Sequence, residues 1–148
     1  MLKTLRKLFD ESAPEHRAHL DSRQLEVAVA CLLHESKRVD LSEDAREHQA
    51  ARDALAHLFG ATEEDAEALL QQGREKARNL TSYYVPVNVI KRDFSVEQRM
   101  LFVEHLWRIA YADGKLDPHE DHYVRKIAHL LYVPNTQSML ARSRARAA

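Results

Sequence analysis

The chain has 148 residues, 45% of them hydrophobic and 30% charged, which suits one globular domain, 1–148, and excludes a disordered chain or two full domains. Lysines and arginines total 22 against 23 acidic residues, a net charge of −1, so no overall field gathers nucleic acid. The single cysteine, Cys31, excludes an internal disulfide and agrees with a reducing cytosol. No apolar run nears the roughly 20 residues that cross a bilayer, and no signal peptide is recognisable. The expectation is a soluble, cytoplasmic protein without stable membrane insertion.

Along the chain, residues 1–9 set Leu2, Leu5, Leu8 and Phe9 against Lys3, Arg6 and Lys7. So short an amphipathic segment binds an anionic membrane only weakly by itself, so packing on its own core or a partner is the favoured role. Leu25, Val29, Leu32 and Leu33 form the first long stripe, followed by Ala51, Ala54, Leu55 and Leu58. Ala66, Leu69, Leu70, Gly73, Ala77 and Leu80 continue the pattern. Phe102, Leu106, Ile109 and Ala110 make the next stripe, and Val124, Ile127, Ala128 and Leu131 the last. Each recurs at three and four residues, the period of a helix with one buried face.

Asp21 with Gln24, Asp44 with Glu47, Ser95 with Gln98, and Asp117 with Glu120 have capping-box spacing and mark helix starts. Pro118 suits a first helical position, and Gly60 and Gly114 suit helix exits. Val85, Val87 and Val89 alternate as in a strand, but no partner strand is evident, so a short helix after Pro86 is the reading. Arg142, Arg144 and Arg146 give a basic tail, 141–148, read as frayed, with phosphate contacts as its functional alternative. The expected fold is all-α, a compact bundle of about six or seven helices.

Two stretches, approximately 25–60 and 98–133, repeat one another. With Asp40 placed on Asp113, Asp44 falls on Asp117 and Glu47 on Glu120. Ala51 meets Val124, Ala54 meets Ile127, Val29 meets Phe102 and Leu33 meets Leu106. Acidic and apolar registers agree together, which predicts a pseudo-twofold pair of helix hairpins. Capping explains Asp44, Glu47, Asp117 and Glu120. Asp40 and Asp113 stand at helix exits, where the dipole disfavours a carboxylate, although Asp113-Gly114 also reads as a turn. A cation between exit and entry would resolve that conflict, and hard oxygen ligands select Ca²⁺ or another divalent ion such as Mg²⁺. The spacing is not that of an EF-hand loop.

Ala110-Tyr111-Ala112-Asp113-Gly114-Lys115-Leu116-Asp117-Pro118-His119-Glu120, followed by Ile127-Ala128-His129-Leu130-Leu131, resembles the signature of the TerB-like tellurite-resistance family. The resemblance extends over roughly 20–135. It implies an all-helical fold with internal pseudo-twofold symmetry, acidic metal-binding positions, a bacterial stress-response setting and partnership with membrane proteins. Carried over by motif, Asp113, Asp117 and Glu120 form one acidic cluster, and Asp40, Asp44 and Glu47 its counterpart. The first copy departs from the pattern: Lys37-Arg38-Val39-Asp40-Leu41 stands where Ala-Asp-Gly is expected. Losing the glycine changes the turn, and Lys37 and Arg38 are expected to neutralise the nearby carboxylates.

Other chemistry has less support. His119 and His122, like His16 and His19, are three apart, but no H-E-x-x-H occurs and only Cys31 offers a thiolate, so exposed helical histidines are expected. Cys31 lies on an apolar face and reads as an inert core thiol. Neither a G-x-S-x-G elbow nor a phosphate-cradling glycine loop is present. Trp107, Tyr111 and Tyr123 are expected to pack around the second hairpin with polar handles toward the surface. The reading is a non-enzymatic, cation-binding interaction module with a protein partner, placed in the cytoplasm or peripherally at the inner face of the membrane. Homo-oligomerisation stays open. The alternative is a metal-independent scaffold whose carboxylates are caps, and a metal-dependent hydrolase is the third class.

Overall fold

The computed structural model describes the backbone of residues 14–38 and 44–148 and the side chains of 22–37 and 44–148. The segment 1–9, Asp40, and the side chains of His16 and His19 lie outside the described residues. Seven α-helices are described: α1 (Pro14–Arg38), α2 (Ala45–Phe59), α3 (Glu63–Arg78), α4 (Tyr84–Asp93), α5 (Val96–Ala110), α6 (Pro118–Leu130) and α7 (Asn135–Ala147). The all-α expectation and its helix number are met.

Two helices form the centre. In α1 the run Val29, Ala30, Cys31, Leu32 and Leu33 is wholly enclosed. In α5 all but one of residues 102–110 are buried. A helix apolar on every side belongs inside a bundle rather than on its surface. Accordingly α1 packs against α2, α3, α4, α5 and α6, with α3 the most extensive neighbour. The stripes predicted on α2 and α6 are ordinary one-sided faces: Ala51, Ala54 and Leu55 on one, Val124, Ile127 and Ala128 on the other, all buried.

The capping signals sort themselves. Ser95 and Gln98 form a reciprocal capping box at α5, with bonds of 3.2 Å and 2.8 Å. Asp44 and Asp117 are the N-caps of α2 and α6. Asp21 is a correction: α1 begins at Pro14 and runs through it. Proline at the first helical position is a stronger start than an Asp/Gln pair, which a helix interior also tolerates. At α3 the cap is Thr62, which accepts from Asp65 N–H at 3.2 Å. The chain leaves α2 through Gly60 in the left-handed conformation. In α4, Pro86 sits in the first turn rather than before the helix. There its missing N–H costs nothing, because first-turn amides have no intrahelical partner.

The basic tail is a second correction. Residues Asn135–Ala147 form a helix packed mainly on α5, burying Ser138, Ala141 and Ala145. Arg144 meets Glu104 at 2.5 Å, and Arg142 meets Asp121 at 3.5 Å while lying over the Trp107 ring. Two of the three tail cations are thus used inside the fold rather than offered to phosphate. Trp107 and Tyr123 also turn their polar handles inward. The indole N–H donates to Ser138 Oγ at 3.2 Å, and the phenol donates to the Leu32 carbonyl at 2.7 Å. Both residues are buried, and a buried N–H or O–H requires such a partner.

Candidate functional site

The acidic residues of the second copy lie on the turn between α5 and α6 and on the first turn of α6. Asp113 Oδ1 accepts from Lys115 N–H at 2.9 Å across Gly114, whose φ is +84°. This is a local aspartate turn, the conformation the Asp-Gly pair favours. Asp117 Oδ1 accepts from His119 N–H at 2.7 Å, and Pro118 occupies the first helical position. Both aspartates are half-buried, and Glu120, one turn inside α6, is fully enclosed.

The described part of the first copy has the same local arrangement. Asp44 Oδ1 accepts from Arg46 N–H at 2.7 Å, and Glu47 is fully enclosed in the first turn of α2. The difference is Arg46. Its guanidinium contacts both Asp44 oxygens, at 3.3 Å and 3.0 Å. The Arg46 side-chain and backbone hydrogen bonds hold the Asp44 carboxyl below its ordinary range. In return Asp44 raises the Arg46 guanidinium, and the charge of Asp113 adds to the effect. The entry of α2 therefore lies within electrostatic reach of the α5–α6 turn.

Lys37, expected to neutralise these carboxylates, donates from Nζ to His48 Nδ1 at 2.8 Å. With Nδ1 accepting, the proton of His48 is on Nε2, which donates to Glu67 at 2.9 Å. Arg52 also pairs with Glu67, at 3.5 Å. This Lys–His–Glu chain ties α1, α2 and α3 together beside the first hairpin.

Calcium or magnesium would meet hard carboxylate oxygens at Asp113, Asp117 and Glu120, and the two aspartates spend Oδ1 on backbone amides. The donor chemistry fits such an ion. Among the described residues, however, no group of three or more His, Cys, Asp and Glu side chains is gathered closely enough to hold one. His119 and His122 are exposed on α6. Cys31 is fully buried, and burial, aided by Glu35, pushes its thiol up to about 11.

Two features escaped the sequence reading. His57 Nδ1 and His105 Nε2 are 2.8 Å apart, joining α2 to α5. Burial, then the charges of His57 and Arg108, push His105 down to about 4. The signal was present, since His105 falls between Phe102 and Ile109 on the apolar face of α5. The second feature is a cavity of about 500 Å³ between the α3–α4 turn and α6, with Glu35 and Tyr83 in its wall. It is assembled from distant segments, so no local pattern announces it.

Among known families, the model described as Tellurite resistance protein TerB matches residues 26–143. No curated protein and no solved structure matches the chain. The matched span runs from the buried centre of α1 into α7 and contains both acidic helix entries.

Proposed function

Since the chain belongs to the TerB tellurite-resistance family, we propose that it is a non-enzymatic, cation-binding interaction module of a bacterial stress response. It would act in the cytoplasm, with a membrane-associated protein as partner. One observation carries the reading. At both helix entries a glutamate one turn inside an aspartate cap, Glu47 and Glu120, has no solvent exposure. A cap needs only the aspartate. A glutamate carboxyl is kept buried only where positive charge or donors meet it, and both helix entries keep one beside the capping aspartate.

In this reading Asp113, Asp117 and Glu120 would draw together around Ca²⁺ or a similar divalent ion at the second hairpin, since without it they are not gathered closely enough to hold one. Asp40, Asp44 and Glu47 are the counterpart at the first. The ion supplies positive charge that relieves the carboxylates at the hairpin mouths and so alters their packing or a partner surface. The protein's own contribution is to fix the aspartates by backbone bonds, which sets where their remaining oxygens lie. Arg46 already occupies Asp44, so the first entry binds less well than the second. A second reading, a metal-independent scaffold, is favoured by the caps themselves: Asp44 and Asp117 both spend an oxygen on a helix amide.

The variant Asp113→Asn with Asp117→Asn separates the two readings. Asparagine caps a helix about as well as aspartate, so stability without metal should hold, while the charge needed for a cation is lost. Thermal melts with and without calcium provide the readout. Calcium at a hundredfold excess over the Kd of the second entry should stabilise the parent by about 2.7 kcal/mol through that entry, and the variant should lose this share and keep only the smaller effect of the first entry. An unmoved parent at millimolar calcium rejects the cation reading and returns the carboxylates to capping.

A further inference from the structure

The α4 helix and the far half of α6 carry an exposed aromatic and basic strip. Tyr84 and Val85 are 61% and 60% exposed at the start of α4, and Tyr132 is 74% exposed just beyond α6. Tyr84, Asn88 and Lys91 recur at helical spacing and share one face of α4, which packs against α6. Two ammonium groups lie over tyrosine rings here: Lys126 at 5.3 Å from the Tyr83 centroid and Lys91 at 4.5 Å from that of Tyr132. Neighbouring arginines are already neutralised, Arg92 by Asp93 and Arg125 by Asp121. Among the described residues, neither Lys91 nor Lys126 has a carboxylate partner.

Tyr132 is displayed at some cost. After α6 the Val133 N–H bonds the Ala128 carbonyl at 2.9 Å and the Tyr132 N–H bonds the His129 carbonyl at 3.1 Å. This is a Schellman closure, and Tyr132, at φ 57°, fills the left-handed position that glycine usually takes. An L side chain there costs roughly 1–2 kcal/mol. Beside Lys126 opens the cavity of about 500 Å³, walled by Ala77, Leu130 and Tyr84 and by the polar Glu35, Thr81 and Ser82, with Lys91 outside its lining. Its volume lies within the range of ligand-holding pockets and admits a large side chain.

We propose that this strip docks an acidic segment of a protein partner, with one apolar side chain in the cavity and carboxylates on Lys91 and Lys126. The inference deepens the interaction half of the function proposed above and does not depend on a cation. Leu130 and Tyr132 lie at the opposite end of α6 from Asp117, about 20 Å along the helix axis. Charge complementarity selects the occupant, because an ammonium over a ring still attracts a carboxylate. The concave shape, with the nearly buried Glu35 in its wall, favours an inserted side chain over a flat anionic bilayer.

The test uses the full chain in chelator and short synthetic peptides carrying every amino acid in turn at the centre, flanked by Glu, Ser or Lys. Binding is read by fluorescence anisotropy. Glu-flanked peptides with Leu, Met or aromatic centres should bind, and Lys-flanked ones should not. The Lys91→Glu, Lys126→Glu variant and the Tyr84→Ala variant alter exposed or half-exposed side chains, and circular dichroism verifies their fold. Each should weaken binding by about tenfold, the sum expected of modest rim contacts. Equal binding of Ser-flanked peptides, or full binding by the charge-reversed variant, overturns the proposal. So does capture of the chain by phosphatidylserine vesicles through these lysines in place of peptide binding. Because the assay contains chelator, a failed calcium titration leaves its result standing.

Discussion

Replacing Gly73 with alanine sets two physical effects against each other. On an open helix surface the change stabilises by about 1 kcal/mol, because glycine loses more backbone freedom on folding. In α3, however, a Cβ at residue 73 would come 2.5 Å from the Ala30 carbonyl carbon, 2.7 Å from Cys31 N and 2.8 Å from Ala30 O. All three are backbone atoms of the central helix, so no side-chain rotation relieves them. The helices must part by about 1 Å to restore ordinary contact, and a gap of that size forfeits up to half of each dispersion well along the seam. The α1–α3 seam is the largest helix pairing in the bundle. Overpacking of this kind costs about 1–3 kcal/mol, and the collision with backbone places Gly73→Ala at the upper end, leaving a net loss of about 2 kcal/mol. At roughly 2–4 °C per kcal/mol, the midpoint should fall by about 4–8 °C. Urea and thermal melts of both proteins measure it. Equal or greater stability of Gly73→Ala would refute the close approach. Gly60→Ala is the control: φ is +67° with nothing within 4 Å of the added Cβ, so only local strain of about 1–2 kcal/mol applies.

Three further outcomes follow from named contacts. His105 is pushed from 6.5 to about 4, so the unfolded chain binds a proton between those values that the native protein does not. Stability is complete above pH 6.5 and falls as pH drops toward 4, by about 3 kcal/mol; urea melts across that window should lose this slope in His105→Leu. Ser138→Ala leaves the enclosed Trp107 N–H without its acceptor and should cost about 1–3 kcal/mol by chemical denaturation. Glu104→Gln loosens α7 from α5 by weakening the Arg144 pair, and weakens the Arg108 pair within α5 as well. Those arginines are about half exposed, so screening limits the loss to about 1 kcal/mol, smaller still at high salt.

The fold was legible wherever one helix face alternates with solvent. The stripes at Ala51–Leu55 and Val124–Ala128 became buried faces, and the Ser95, Asp44 and Asp117 caps marked true starts. Burial on all sides was harder to read: α1 and α5 are centre helices because five neighbours meet the first and nearly every residue of 102–110 is covered in the second. A stripe analysis records only their strongest side. The tail misled because its arginines look solvated in sequence, while their partners Glu104 and Asp121 lie 40 and 21 residues away. At the acidic entries, spacing located the aspartates and glutamates, but no spacing shows that Arg46 grips Asp44 or that both glutamates are enclosed. The cavity and the His57–His105 bridge are tertiary products, the latter spanning 48 residues of chain.

Calorimetric titration of the chelator-treated full chain with Ca²⁺ asks whether a divalent cation binds at the hairpin entries. Saturable binding is expected, weaker at the first entry than at the second, with loss of the tighter phase in Asp113→Asn, Asp117→Asn. Absence of saturable heat up to millimolar Ca²⁺, or an unchanged titration in that variant, would contradict cation binding there.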